Sequence, residues 1–337
     1  MRKPNDVSER KRIADRYATF AADEARGSSE IYQRLAQAVA GSADVLEFLA
    51  TLPAERRQPN LFLAAVRHLF GVPNGERQLI DIVRRKHESI RELMLSRTTQ
   101  TNEPARCAVL LPLLARLPQP LALLEVGASA GLCLLPDRYG YDYGMARLEP
   151  PTKETHSPPV FECRASGAVP IPSALPIIAW RAGIDLNPID VNATAETAWL
   201  ETLVWPGQEE RVHRLRAALA VAQAEPPRIV KGNLVTDLAA LMAEAPECAT
   251  LVVLSHGRAG LCGVGDSSRA VRTGNARIKS SLDQQRGSER VPRYRKSCAT
   301  HAAARSLSAG YQRPCRCMDR PAWRIDRMVR PLMIEGQ

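Results

Sequence analysis

Leu121-Ala122-Leu123-Leu124-Glu125-Val126-Gly127-Ala128-Ser129-Ala130-Gly131-Leu132 is the stretch on which the fold turns. The apolar run from Leu121 to Val126 stops at Gly127, as a buried strand does where it leaves a sheet. The small residues from Gly127 to Gly131 allow a ligand to approach the backbone. A helix is expected to begin just beyond them and to present free N–H groups to that ligand. Glu125, Gly127, Ser129 and Gly131 are therefore the first candidate cofactor-binding residues.

Downstream, three further runs read as strands: IIAWRAGIDL from Ile177, RIVKGNLV from Arg228 and TLVVLS from Thr250. Helical stretches, AETAWLETLVW and EERVHRLRAALAVAQ, separate them. Strands that alternate with helices predict an α/β domain with a parallel, doubly wound Rossmann-like sheet. The Leu121 strand is expected at its centre.

Upstream, residues 8–117 read as helices. Ser29 or Ser28 caps a helix closed by Gly41, and Ser42 caps the next, which stops before Pro53. NLFLAAVRHLFG ends at Gly71. In ERQLIDIVRRKHESIRELMLSR, Leu79, Ile82, Val83, Ile90, Leu93 and Met94 recur near helical spacing. Asn102 is expected to cap a helix with Pro104 in its first turn. The boundaries are a helical region over 1–117, a partial Rossmann-like domain over 118–254, and a tail over 255–337.

The tail differs in kind from the rest. The chain carries 46 basic and 36 acidic residues, a formal charge of +10. Ser255 to Gln337 holds 17 of the basic and 6 of the acidic ones, which leaves 29 and 30 in the body. The body is near neutral, so no nucleic-acid partner is expected despite the overall charge. Apolar periodicity fails after Leu254.

One permitted spelling of Ser255 to Gly263, read one base later, gives HTAVLAYV. Leu282 to Lys296 gives WISNEAPSVFPDIA, and Ser308 to Arg330 gives QLGINGRAGAWTDPPGASIEWF at the same offset. These peptides resemble the fifth strand and closing hairpin that such a sheet needs. The tail thus reads as an out-of-frame sequence without a packed core, expected to be disordered. Its loss of frame truncates the sheet. It is expected to leave the fourth strand as an unpaired apolar edge, in a chain that is inactive and poorly stable.

No run approaches a membrane span in length. The charged start, MRKPNDVSERKRIADRY, lacks the apolar segment of a secretory signal, and the expected location is the cytoplasm. Cys107, Cys133, Cys163 and Cys248 are scattered, as suits buried reduced thiols. Cys315 and Cys317 have no second pair at ligand spacing, so no metal site is expected. His68, His87 and His213 likewise have no partner at ligand spacing.

Glu125-x-Gly127-x-Ser129-x-Gly131 resembles the first motif of S-adenosylmethionine-dependent methyltransferases. The resemblance implies S-adenosylmethionine as cofactor, with Asp185 on its ribose and Asn233 near the adenine. Ser129 stands where that motif usually has glycine, and Asn233 where it has an acid. Gln100, Asn102 and Arg106 are candidate substrate residues facing the loop; the plainer reading of this run is helix capping by Asn102. Tyr139, Tyr141 and Tyr143 read as a turn packed by tyrosines rather than as substrate contacts. No residue is assigned a catalytic step.

A non-catalytic ligand-binding or interaction protein is the competing class. Gly127-x-Ser129-x-Gly131 also matches the nucleophile elbow of serine hydrolases, with Asp185 and His256 in the required order, but no upstream strand supplies the oxyanion loop. QTNEPARC, LLEVGASAGLCLLPDRYGYDYG, RAGIDLNPIDV and WPGQEERVHRLRAAL together resemble the mostly actinobacterial domain-of-unknown-function family 2332 from about residue 15 to Leu254. That resemblance implies the fold and carries no activity with it.

Overall fold

A computed structural model describes residues 4–100, 102–151, 158–165, 167 and 169–255, and the backbone of 270–273 and 276–280. Six helices open the chain: α1 (Pro4–Thr19), α2 (Glu30–Gly41), α3 (Ala43–Ala50), α4 (Pro59–Phe70), α5 (Glu76–Ser96) and α6 (Arg106–Leu114). α1 runs on into a wider π-helical turn at Phe20–Ala25.

Their ends follow local chemistry. Ser29 Oγ accepts from the Tyr32 amide and Ser42 Oγ from the Val45 amide, each satisfying a donor that the first helical turn leaves free. Gly71 ends α4 at φ +76°, a conformation that favours glycine. In α5 the apolar stripe buries Leu79, Val83, Ile90 and Met94, with Ile82 and Leu93 partly covered beside them.

The second half is an α/β unit. The main sheet contains β1 (Leu121–Val126), β5 (Ile178–Asp185), β6 (Arg228–Lys231) and β7 (Thr250–Ser255), all parallel. The full strand order is β6-β5-β1-β7-β9-β8, so β1 lies inside the sheet, flanked by β5 and β7. Leu124 pairs with Ala182 on one side and Val253 on the other. α7 (Thr194–Leu203) and α8 (Glu209–Ala224) connect β5 to β6, and the short α9 (Leu238–Met242) connects β6 to β7.

Three expectations need correction. No α-helix follows the glycine loop: two 3-10 turns, Leu132–Leu134 and Pro136–Arg138, take its place. Gly131 sits at φ +69°, outside the helical region, and Pro136 has no N–H to give a continuing helix. The chain then enters a small sheet of order β3-β2-β4, made of β2 (Gly140–Asp142), β3 (Arg147–Leu148) and β4 (Val160–Glu162). Tyr141 lies in β2, with Tyr139 and Tyr143 directly flanking that strand, rather than all three in a turn. All three are buried, their hydroxyls donating to the carbonyls of Leu132, Pro136 and Ala108 at 2.8, 2.7 and 2.6 Å.

The third correction concerns the tail. The backbone of β8 (Ala270–Thr273) and β9 (Ala276–Ser280) joins the main sheet. β9 pairs antiparallel with β7 over Val252 to Ser255, so β7 is not an unpaired edge. A strand edge carries a row of open N–H and C=O groups that any extended segment can satisfy, and here a segment of the same chain does so. Residues 281–337, with Cys315 and Cys317, lie outside the described residues.

The two halves share a core. Trp199 of α7 is buried within the helical cluster, beside the side chains of α4 and α5. Its indole N–H donates to the Thr98 carbonyl at 3.0 Å. Cys107 and Cys133 are buried, but Cys163 is only half-buried and Cys248 is exposed, so the reading of buried thiols holds for two of the four. Among the described residues no helix is long and apolar enough to cross a membrane, and no three His, Cys, Asp or Glu side chains gather as a metal site.

Candidate functional site

The loop Gly127–Gly131 emerges at the carboxyl end of β1, between its neighbours β5 and β7. Gly127 and Gly131 both adopt φ +69°, and Ser129 between them adopts φ +51°. The loop packs directly on β5 because position 183 has no side chain. A Cβ built on Gly183 would lie 2.5 Å from Ala128 Cβ. Glycine within a strand is the sequence signal for such a close approach, yet sequence reading had given Gly183 no part.

Every N–H of the loop is bonded within the protein. The Ile184 carbonyl accepts from Gly127 at 2.9 Å and from Ala128 at 3.3 Å. Asp185 Oδ2 accepts from the Ser129 amide at 2.8 Å. Asn102 Oδ1 accepts from the Ala130 amide at 3.4 Å, and the Ala128 carbonyl accepts from Gly131 at 2.7 Å. The free N–H groups of a helix N-terminus, expected from sequence, are therefore not what this loop presents.

Asp185 does more than end β5. Its second oxygen, Oδ1, accepts from the Asn187 amide at 2.7 Å, so one carboxylate ties the loop after β1 to the loop after β5. Each carboxylate oxygen has a second lone pair for a ligand hydroxyl.

Gln100 and Asn102 converge on Ser129. The Ser129 hydroxyl donates to Gln100 Oε1 at 2.5 Å and accepts from Asn102 Nδ2 at 2.9 Å. Asn102 is buried and its amide serves the loop, which corrects the expectation that it caps α6; Ala105 holds the capping position, with no side-chain cap. Ser129 is 3% exposed and its proton goes to a carboxamide oxygen, a poor base, so the described contacts do not activate it as a nucleophile. His256 lies outside the described residues.

Glu125 is buried beneath the loop. Burial pushes its carboxyl well above the usual carboxylate range; Cys133 and Asp185 add to the shift, and the Arg106 guanidinium opposes it. Arg106 thus acts on Glu125 through its charge. Asn233 follows Gly232, whose amide donates to the Asp185 carbonyl at 3.0 Å. Its side-chain oxygen accepts from the Val235 amide at 2.9 Å, and its own amide donates to Asp237 at 2.8 Å, a local turn after β6.

An ion-pair network holds the segment after the loop. Arg181 of β5 meets both oxygens of Asp137 at 2.9 Å and also donates to the Leu134 carbonyl. Arg138 pairs with Asp137 and with Glu225. Clefts of about 380 Å³, beside α2 and the start of α5, and about 230 Å³, beside Trp205 and His213, do not touch the loop.

A family model described as "Uncharacterized protein conserved in bacteria" (DUF2332) matches residues 14–259. Comparison with curated proteins and with solved structures gives no match. The matched region runs from the last part of α1 through α2 to α6, the glycine loop, Asp185 and all four parallel strands, and the chain belongs to the DUF2332 family of bacterial proteins.

Proposed function

We propose that this family member binds S-adenosylmethionine, or a related adenosine ligand, at the carboxyl ends of β1 and β5, and acts as a methyltransferase-like protein on a small-molecule acceptor in the cytoplasm. The observation that carries this reading is the position of the glycine loop. It leaves an inner strand of a parallel sheet whose neighbours, β5 and β7, are reached in opposite directions from β1. Such a switch point is where open α/β sheets bind ligands.

The hydrogen bonding of the loop narrows the class. With its N–H groups bonded inside the protein, the loop is no cradle for a pyrophosphate, and a nucleoside ligand without phosphate suits it better. Glu125, Gly127, Ser129, Gly131 and Asp185 would hold that ligand, with Asp185 on the ribose and Asn233 near the adenine. The cofactor would supply an electrophilic methyl group. The chain itself would contribute binding and orientation of donor and acceptor.

The binding residues all precede Ser255, so calorimetric titration with S-adenosylmethionine tests the reading on the 337-residue chain and on a frame-restored one. Dissociation constants in the micromolar range support it, and no binding up to about 1 mM in either chain, weak by affinity arithmetic, defeats it. Binding without methyl transfer to any small acceptor favours the non-catalytic class.

We also infer that the sequence from about Ser255 is read out of frame and that methyl transfer requires the restored frame. The family match ends at residue 259, close to where apolar periodicity fails and the basic excess begins. Sequencing the DNA across the codons for Leu254 to Gly257 tests this. A one-base difference from close relatives supports it, and an identical reading frame refutes it.

A further inference from the structure

We propose that the Gln100 side chain is a built-in competitor for this site: its carboxamide takes the place that a vicinal hydroxyl pair of a ligand would occupy, and ligand entry displaces it together with the segment Arg97–Gln100. The inference rests on the adenosine reading above for the identity of the ligand, and on the hydrogen bonds alone for the displacement.

Two lips bound the crevice, the loop after β1 and the loop after β5. Asp185 joins them at its floor by accepting from the amides of Ser129 and Asn187. Gln100 joins them a second time, from outside. Its Oε1 accepts from the Ser129 hydroxyl at 2.5 Å, and its Nε2 donates to the Asn187 carbonyl at 2.7 Å. A planar amide is one acceptor beside one donor. A ribose edge offers the same pair: one hydroxyl accepts from Ser129 and its neighbour donates to Asn187. Gln100 and Asp185 thus link the same two residues, Ser129 and Asn187.

Gln100 is also placed to report its own displacement. It lies in a segment with no regular secondary structure, held to the helical region by Arg56 on the Arg97 carbonyl and by the Thr99 hydroxyl on Gln58. The Arg97 guanidinium pairs with Glu196 at 2.6 Å, and the Thr98 carbonyl accepts from the Trp199 indole. Trp199 stands in the shared core, so release of the segment is felt where the helical region meets α7. A site closed by its own side chain shows a weaker apparent affinity, in proportion to the fraction of molecules that are open.

Gln100→Ala removes both bonds, leaving the Ser129 hydroxyl with Asn102 and the backbone hydrogen bonds of the glycine loop and of Asp185 in place. Two measurements follow, on the 337-residue chain and its variant. In titrations with S-adenosylmethionine, the variant is expected to bind about tenfold more tightly, as removal of a competing closed state requires. An equal or weaker affinity overturns the proposal, because Gln100 would then be inert or a ligand contact. Without added ligand, exchange of the Trp199 indole proton is expected to quicken by about tenfold in the variant, while that of Trp205 is unchanged. Unaltered Trp199 exchange overturns the proposal whatever the titration gives. Should neither protein bind the cofactor, the adenosine reading fails, and quickened Trp199 exchange still supports Gln100 as the latch on the segment Arg97–Gln100.

Discussion

Gly183→Ala tests whether the glycine loop is seated by its contact with β5. The added Cβ would lie 2.5 Å from Ala128 Cβ, 2.7 Å from Ile229 Cδ1 and 3.4 Å from Leu134 Cδ1. Ordinary carbon contacts are about 3.5–4.0 Å, so Ala128 must retreat by about 1 Å. Ile229 can turn its terminal methyl aside, but Ala128 Cβ moves only with the backbone. That backbone is bonded to the Ile184 carbonyl through the Gly127 and Ala128 amides, and to Asp185 through Ser129.

Overpacking of this kind costs about 1–3 kcal/mol. Weakening one loop hydrogen bond adds about 1 kcal/mol. The reduced freedom of the unfolded chain returns about 0.4–1 kcal/mol. The net expectation is a loss of about 2–3 kcal/mol, a large part of a total stability of about 5–15 kcal/mol. Urea denaturation should show a lower midpoint at an unchanged slope. The double variant Gly183→Ala/Ala128→Gly removes the closest contact and should recover about half the loss, a coupling of roughly 1 kcal/mol. Strictly additive effects, or a single-variant loss below about 0.5 kcal/mol, would refute the steric argument.

Gly127→Ala meets no atom within 4 Å but keeps φ +69°, so it should cost about 1–2 kcal/mol from conformation alone, and Gly127→Asn, which tolerates that region, should cost less; equal losses by thermal melting would count against this. Arg181→Met leaves Asp137, whose side chain is 11% exposed, with Arg138 as its remaining cation and should cost about 2–3 kcal/mol by denaturant titration, less when Asp137→Leu is added; a double variant worse than the single would speak against a buried pair. Glu125 has a raised folded pKa, so its stabilising neutral form is retained below the ordinary carboxylate value and lost as pH rises toward the raised one. Stability of the wild-type chain relative to Glu125→Gln should therefore decline as pH rises above the ordinary carboxylate value, and parallel profiles would contradict a carboxyl held neutral by burial.

Local patterns were legible without coordinates. The starts of β1, β5, β6 and β7 follow from apolar runs bounded by glycine or proline, and the ends of α2, α3 and α4 from Ser29, Ser42 and Gly71. These signals act within a few residues, through strand burial and through the orphan donors of a first helical turn. Gln100 and Asn102 were legible only as polar residues near the loop in sequence; that they both bond Ser129 is a matter of tertiary packing.

What tertiary structure alone decided is who partners whom across long separations. Asn102 had two uses open to it, a helix cap and a distant loop, and the loop won because its buried Ser129 hydroxyl and Ala130 amide needed partners where water is scarce. Asp137, in the stretch after Gly131, is paired with Arg181, on a strand that sequence places more than forty residues away. β7 gained a neighbour because open strand edges accept any chain that reaches them. Sequence fixes the periodicity and the punctuation of each element, since those depend on adjacent residues. The hydrogen-bond partners of a buried polar group depend on what the fold brings beside it, and no local pattern encodes that.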